Sequence, residues 1–214
     1  MMQNLQAIYD AAFFGEWGSG NADYVASAEV ITDELCAQFK PGRVADIGCG
    51  CGVYSHFFRQ RGVDVLSLDG VMPPPEHAFP VTIHQQDLTE PFENVWGKYD
   101  FTLCMEVAEH IPEPLVGVFL ENLVRFGDTL IMSAAPPRQG GHHHVNEQPK
   151  RCWVEKLAGL GFLYSRRKTG RLFDALCVRR MPLMWMMQQI SIYERRRPAG
   201  RKGEELPFGV RFRS

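Results

Sequence analysis

The chain has 214 residues, 45% of them apolar and 22% charged, with a formal net charge of −2. That length fits one large domain with small additions, and the apolar share is enough for a sizeable core. The charge balance excludes a protein drawn to nucleic acid or to an anionic membrane by bulk positive charge. The six cysteines form no CxxC pair, which argues against a zinc ribbon or disulfide framework and for free thiols in a reducing cytoplasm.

In chain order, residues 1–22 are rich in aromatic residues and glycine. They lack a basic region followed by a long apolar run, so they do not read as a signal peptide. Val25, Ala28, Ile31, Leu35 and Phe39 follow helical spacing. "VADIG" is a short strand, "GCGCG" a turn, and "VYSHFFRQRG" a helix closed by Gly62. "VDVLSLDG", "VTIHQQD" and "YDFTLCM" are the next strands. "EPLVGVFLENLVRF" is a helix and "DTLIMSAA" a fifth strand. "KRCWVEKLAGLGF" is a helix, and "LYSRRK", "DALCVRR" and "SIYERR" are the final strand candidates. "MPLMWMMQQISIY" is too short to span a bilayer and contains two glutamines. Its methionines and Trp185 suggest a packed sheet edge.

Strands alternating with helices give an α/β, Rossmann-like domain with a mostly parallel sheet and helices on both faces. The expected divisions are residues 1–39 as an N-terminal leader and helix, 40–195 as the main domain, and 196–214 as a polar tail. Phe13, Phe14, Trp17 and Tyr24 of the leader either form a lid over a ligand or pack on the domain. Ligands in such sheets bind beyond the carboxyl ends of strands. Two constellations fall there.

The first is the turn containing Gly48, Gly50 and Gly52, with Asp69 ending the next strand. Glycines allow close backbone approach, and a strand-end carboxylate can accept hydrogen bonds from both hydroxyls of a ribose. The GxGxG spacing departs from the GxGxxG dinucleotide fingerprint. Together with "LSLDG", "QQDL" and "YDFTLCMEVAEHIPE", "VADIGCGCGVYSHFFRQRG" resembles the class I S-adenosylmethionine-dependent methyltransferases over roughly residues 40–165. That resemblance implies a seven-stranded sheet and S-adenosylmethionine as the methyl donor. It implies that Asp46 and the backbone of Gly48, Cys49, Gly50 and Gly52 hold the methionyl part. It places Asp69 and Gly70 at the ribose, Asp87 and Leu88 at the adenine, and Met105 and Glu106 beside the sulfonium. Cys51 departs from the small hydroxyl residue often found in the family. The leader and "SAAPPRQGGHHHVNEQPKRCW" resemble a bacterial subgroup, some of whose members accompany glycan or surface-polysaccharide biosynthesis.

The second constellation is "MEVAEHIPE". If Glu106 opens a helical turn, then Glu106, Glu109 and His110 share one face. The loop after strand five carries His142, His143 and His144. The pattern E-x-x-E-H with a later histidine is similar to that of the small-RNA 2′-O-methyltransferases and the ubiquinone-pathway O-methyltransferases, which are metal-assisted. The candidate metal ligands are therefore Glu106, Glu109, His110 and His144, for Mg²⁺, Mn²⁺, Fe²⁺ or Zn²⁺. Metal-free alternatives are His144 or His110 as general base, or purely structural roles. Asn146, Glu147 and Gln148 either bind a polyol or cap the following helix. Trp153 is a core residue or a stacking platform, and Arg166, Arg167, Arg171, Arg179 and Arg180 are a solvated surface or a seat for an anionic acceptor.

The expected activity is O-methylation of a small polyhydroxylated acceptor, such as a sugar, nucleotide sugar or glycan precursor. Metal-free N-methylation of a small amine and a non-catalytic S-adenosylmethionine-binding scaffold are the alternatives. The charge, and the lack of a recognisable RNA-binding module, argue against nucleic acid. No membrane insertion is expected, and the chain is expected to be a cytoplasmic monomer or homodimer.

Overall fold

The computed structural model describes residues 8–196. The predicted polar tail from residue 197 on lies outside the described residues. Helices α1 (Ala11–Glu16) and α2 (Ala22–Phe39) precede β1 (Arg43–Ile47), α3 (Val53–Gln60), β2 (Asp64–Asp69), β3 (Ile83–Gln85) and β4 (Phe101–Cys104). There follow α4 (Val116–Leu123), β5 (Thr129–Met132), α5 (Lys150–Gly159), β6 (Phe162–Tyr164), α6 (Arg166–Arg179), α7 (Trp185–Gln188) and β7 (Ser191–Arg195).

The seven strands form one sheet in the order β3-β2-β1-β4-β5-β7-β6. The first five are parallel, and β7 runs antiparallel to both β5 and β6. This is the expected seven-stranded, mostly parallel sheet. Alternation along the strands feeds two cores. Ala45 and Ile47 of β1 join Phe119 and Leu123 of α4 and Leu157 of α5 on one face. Val44 of β1 joins Ile31 and Leu35 of α2, Phe58 of α3 and Leu176 of α6 on the other. Strands buried on both faces explain the unbroken apolar runs.

α2 begins where Asn21 accepts a hydrogen bond from the Tyr24 backbone N–H at 3.0 Å, a side-chain cap. Gly62, at φ 77°, follows the end of α3. The expectation of a strand at "DALCVRR" is wrong, because Asp174 to Arg179 lie within α6 and Arg180 caps it. Their alternation resembles a strand, but Thr169, Leu172 and Leu176 continue a helical stripe that is buried against α2 and β7. "LYSRRK" is strand only through Tyr164. Among the described residues no helix is long and apolar enough to cross a membrane.

Candidate active site

The carboxyl ends of β1, β2 and β4 open into a cavity of about 890 Å³. That is near the upper end for small-molecule sites. At the β1 end, Gly48 has φ 76°, and a Cβ there would stand 2.4 Å from Val107 Cγ2. Gly52 has φ 82°, and its Cβ would stand 2.5 Å from Val81 Cγ2. A side chain at either position is strained and crowded. The N–H groups of Gly48 and Cys49 donate to the Leu68 carbonyl at 2.8 and 3.1 Å, tying the turn to β2.

Asp46, at 2% exposure, accepts hydrogen bonds at Oδ2 from the Ser55 hydroxyl at 2.7 Å and the Ser55 N–H at 3.1 Å. Ser67 in turn donates to the Ser55 hydroxyl at 2.7 Å. Burial outweighs these bonds and pushes the Asp46 carboxyl up to about 7. Asp69 ends β2 and accepts from the Gly50 N–H at 2.7 Å and the Val71 N–H at 2.9 Å. Asp87 accepts at Oδ1 from both the N–H and hydroxyl of Thr89. Asp46, Gly48, Cys49, Gly50, Asp69, Gly70, Asp87, Leu88, Met105 and Glu106 all line the cavity. Cys51 fits beside Phe14 and Val71, and burial pushes its thiol up to about 12, so it is an inert packing group.

The β4 end is built differently from the expectation. Glu106 does not open a helical turn: its φ is 54°, and Ala108–His110 form a short 3₁₀ turn. The left-handed residue swings the carboxylates into the cavity without a shared helix face. Glu106 N–H donates to the Ser133 hydroxyl at 3.0 Å, which fixes that backbone against the end of β5. Glu109 is fully buried and accepts from the Ala135 N–H at 3.2 Å through Oε1. With both carboxyls ionised, Glu106 Oε1 and Glu109 Oε2 have no donor. Burial first, and then the neighbouring Glu106 charge, raise Glu109 well above the usual carboxylate range. A proton held on Glu109 lets the two carboxyls bond to each other, and a cation would satisfy the same oxygens.

The β4 and β5 loops meet because β4 and β5 are parallel neighbours. The Glu109 carbonyl accepts from the N–H groups of both Val145 and Asn146, at 3.0 and 2.9 Å. This brings one ligand atom each from Glu109, His110 and His144 within 4.8 Å of one another. Glu106 stands outside that trio. The His110 and His144 rings lie edge to face, 5.0 Å between centroids. His110 Nδ1 faces the His143 carbonyl at 3.3 Å, and burial, then the His144 charge, lower His110 to about 4. It is therefore neutral at physiological pH, with Nε2 free.

The sequence did not reveal the partner that orients His144. Glu147 Oε1 meets His144 Nδ1 at 3.0 Å and also accepts from the Gly140 N–H at 2.6 Å, while Oε2 accepts from the Arg138 N–H at 2.7 Å. The available signal was the i, i+3 spacing of an imidazole and a carboxylate in one loop. A Cβ on Gly141 would stand 2.4 Å from His144 Nε2, so the ring lies directly over that glycine. Neither proposed role of Asn146 and Gln148 is needed to explain them. Asn146 is buried and donates to the Ile111 carbonyl, Gln148 donates to Asn146, and α5 has Pro149 at its N-cap position with no side-chain cap. His142 and His143 differ from His144: His142 Nε2 meets the Ile8 carbonyl at 2.7 Å and His143 has φ 53°. Trp153 is a core residue. From the leader, Tyr9, Phe13, Phe14, Trp17 and Tyr24 line the cavity, with Trp185 and Met186 from the far end of the chain.

A family profile described as a methyltransferase domain matches residues 22–174. The chain belongs to the methyltransferase domain family. Its fold is that of the class I, S-adenosylmethionine-dependent methyltransferases. The ubiquinone biosynthesis O-methyltransferase of Acinetobacter baumannii (strain AYE) is 28% identical over 130 residues, 55% of this chain and 50% of that protein. The enzyme of the same description from Photorhabdus laumondii is 26% identical over 163 residues, 72% of this methyltransferase and 63% of its relative. The chain thus spans between half and two thirds of the length of these relatives. Two solved structures share the fold. Burkholderia thailandensis 1,6-didemethyltoxoflavin-N1-methyltransferase, bound to its substrate and S-adenosylhomocysteine, has a TM-score of 0.60 at 16% identity, covering 90% of this chain and 89% of that one. Magnesium protoporphyrin IX methyltransferase from Synechocystis PCC 6803 has a TM-score of 0.57 at 21% identity, covering 76% and 90%.

Proposed function

We propose that this methyltransferase O-methylates a small polyhydroxylated acceptor with the help of a divalent cation. The observation that carries the proposal is the convergence of Glu109, His110 and His144 on one point, with a buried carboxylate oxygen there that lacks a donor. Of the expected ions, the donor set fits Fe²⁺, Zn²⁺ or Mn²⁺ better than Mg²⁺, since two imidazoles and one carboxylate suit the transition metals. Such a cation would supply Lewis acidity, lowering the pKa of an acceptor hydroxyl. Glu106, outside that trio, interacts with Glu109 through its carboxyl.

The chain's own residues do the rest. Asp46 and the glycine turn hold the methionyl end of the donor, Asp69 the ribose and Asp87 the adenine. Glu147 fixes the His144 tautomer and ring, leaving Nε2 to face the acceptor side. The sulfonium methyl is already activated, so alignment and removal of one proton are what remain. Among the described residues no Lys or Arg lines the cavity. That favours an uncharged sugar over a nucleotide sugar as acceptor.

The test is methyl transfer from labelled S-adenosylmethionine across a panel of sugars and catechols, before and after EDTA treatment and Mn²⁺ or Mg²⁺ restoration. EDTA should silence turnover and metal should restore it. His144→Ala should cut turnover severely while S-adenosylhomocysteine affinity stays within about twofold. Turnover that is untouched by EDTA and by His144→Ala would support metal-free transfer instead.

A further inference from the structure

The amino-acid end of S-adenosylmethionine carries an ammonium and a carboxylate. Asp46 provides for the ammonium, but the carboxylate must also leave water, and an anion in a buried site requires donors. A guanidinium or ammonium group is the usual answer, and among the described residues none lines this cavity. Neutral donors have to serve.

One such donor stands out at the methionyl end. Tyr54 follows the glycine turn by two residues, on the first turn of α3. The residue is 3% exposed, lines the cavity, and its hydroxyl is fully buried without a hydrogen-bond partner. A buried hydroxyl left unpaired is unfavourable, and a protein retains one where a ligand completes it. Its ring packs in the same core cluster as Val53, Phe57 and Phe58, so the hydroxyl is held rather than free to turn to solvent. Tyr24, from α2, brings a second phenol to the same place. Burial first, and then Tyr24, Glu106 and Asp46, keep the Tyr54 phenol protonated, hence a donor. Ser55, the next residue, donates to Asp46 through both its N–H and its hydroxyl, which sets this turn of α3 at the Asp46 end of the cavity.

We propose that Tyr54, with Tyr24 beside it, seats the carboxylate of the methyl donor's amino-acid end through neutral phenol donors, in place of a cationic side chain. This makes Tyr54 a positioning residue: it fixes the methionyl arm and, through it, the direction in which the methyl group points. The inference rests on the assignment of this cavity to S-adenosylmethionine.

The test is calorimetric titration of the full chain with two probes, S-adenosylhomocysteine and 5′-methylthioadenosine, which keeps the adenosine and thioether but lacks the amino-acid end. Tyr54→Phe should weaken S-adenosylhomocysteine roughly 10- to 100-fold, the range for one hydrogen bond to a charged group. It should leave 5′-methylthioadenosine within about twofold. Its melting temperature should be no lower than wild type, because the ring stays and an unpaired hydroxyl goes. Tyr24→Phe should add a smaller loss confined to the same probe. Equal losses on both probes, no loss on S-adenosylhomocysteine, or a lowered melting temperature would each overturn the assignment. A wild-type chain that fails to bind S-adenosylhomocysteine would remove the cavity assignment itself and the inference with it.

Discussion

On the proposed role of Asp46, its burial should make donor binding depend on pH in a window where most carboxylates are silent. Its carboxyl is raised from 3.8 to about 7 in the absence of ligand. A raised carboxyl means the folded chain holds a proton that the unfolded chain has lost. The group's contribution to stability is therefore fully present below the unfolded value and is lost as pH rises toward 7, by about 4 kcal/mol in total. Donor binding runs the other way, because an ammonium beside Asp46 favours the carboxylate. At pH 6 roughly one tenth of Asp46 is ionised, and at pH 7.5 roughly three quarters, so apparent affinity should rise roughly eightfold between them. The assay is titration with S-adenosylhomocysteine at both pH values, in two buffers of different ionisation enthalpy, which reads the released proton directly. Asp46→Asn should flatten the profile and bind weakly at both values. A wild-type profile flat from pH 6 to 7.5, or an Asp46→Asn profile with the same slope, would refute the reasoning.

Gly141→Ala puts a Cβ where the His144 ring lies, at a φ of 156°, and should weaken Mn²⁺ binding at least tenfold while S-adenosylhomocysteine affinity stays within about twofold, as followed by calorimetry. Glu109→Gln gives Glu106 a permanent donor, so thermal unfolding should show no loss of stability even as Mn²⁺ binding is abolished. Gly48→Ala forces a Cβ against Val107 at positive φ and should cost about 1–3 kcal/mol by urea unfolding. Trimming the obstacle in Gly48→Ala/Val107→Ala should recover part of that loss.

The sheet could be read from the sequence because its strands are buried on both faces, which turns burial into continuous apolar text such as "VADIG" and "TLIM". Helix α6 could not. Its exposed face is so rich in arginine that the buried stripe of Thr169, Leu172 and Leu176 was hidden, and the stretch "DALCV" imitates a strand. The placement of Glu109, His110 and His144 at one edge followed from β4 and β5 being neighbours. Their local geometry did not, because the left-handed backbone at Glu106 falls at a non-glycine residue and carries no compositional signal. The bonding of Glu147 was hidden for a similar reason. Residue type showed that it could accept hydrogen bonds, but the fold decided that its donors would be His144, Arg138 and Gly140.

The Glu147 carboxylate has one further consequence. It gathers two N–H groups and an imidazole from the same short arc, while the Glu109 carbonyl pins the arc's downstream foot at Val145 and Asn146. The arc is thus a clasped ring of chain standing on a riveted base. Within the arc Gly141 is held to glycine by the ring above it and His143 faces His110 through its carbonyl, so His142 is the crest residue that can be exchanged without unseating His144. On the proposed role of this loop, a change there would alter acceptor contacts while leaving the imidazole and the glycine turn where they stand.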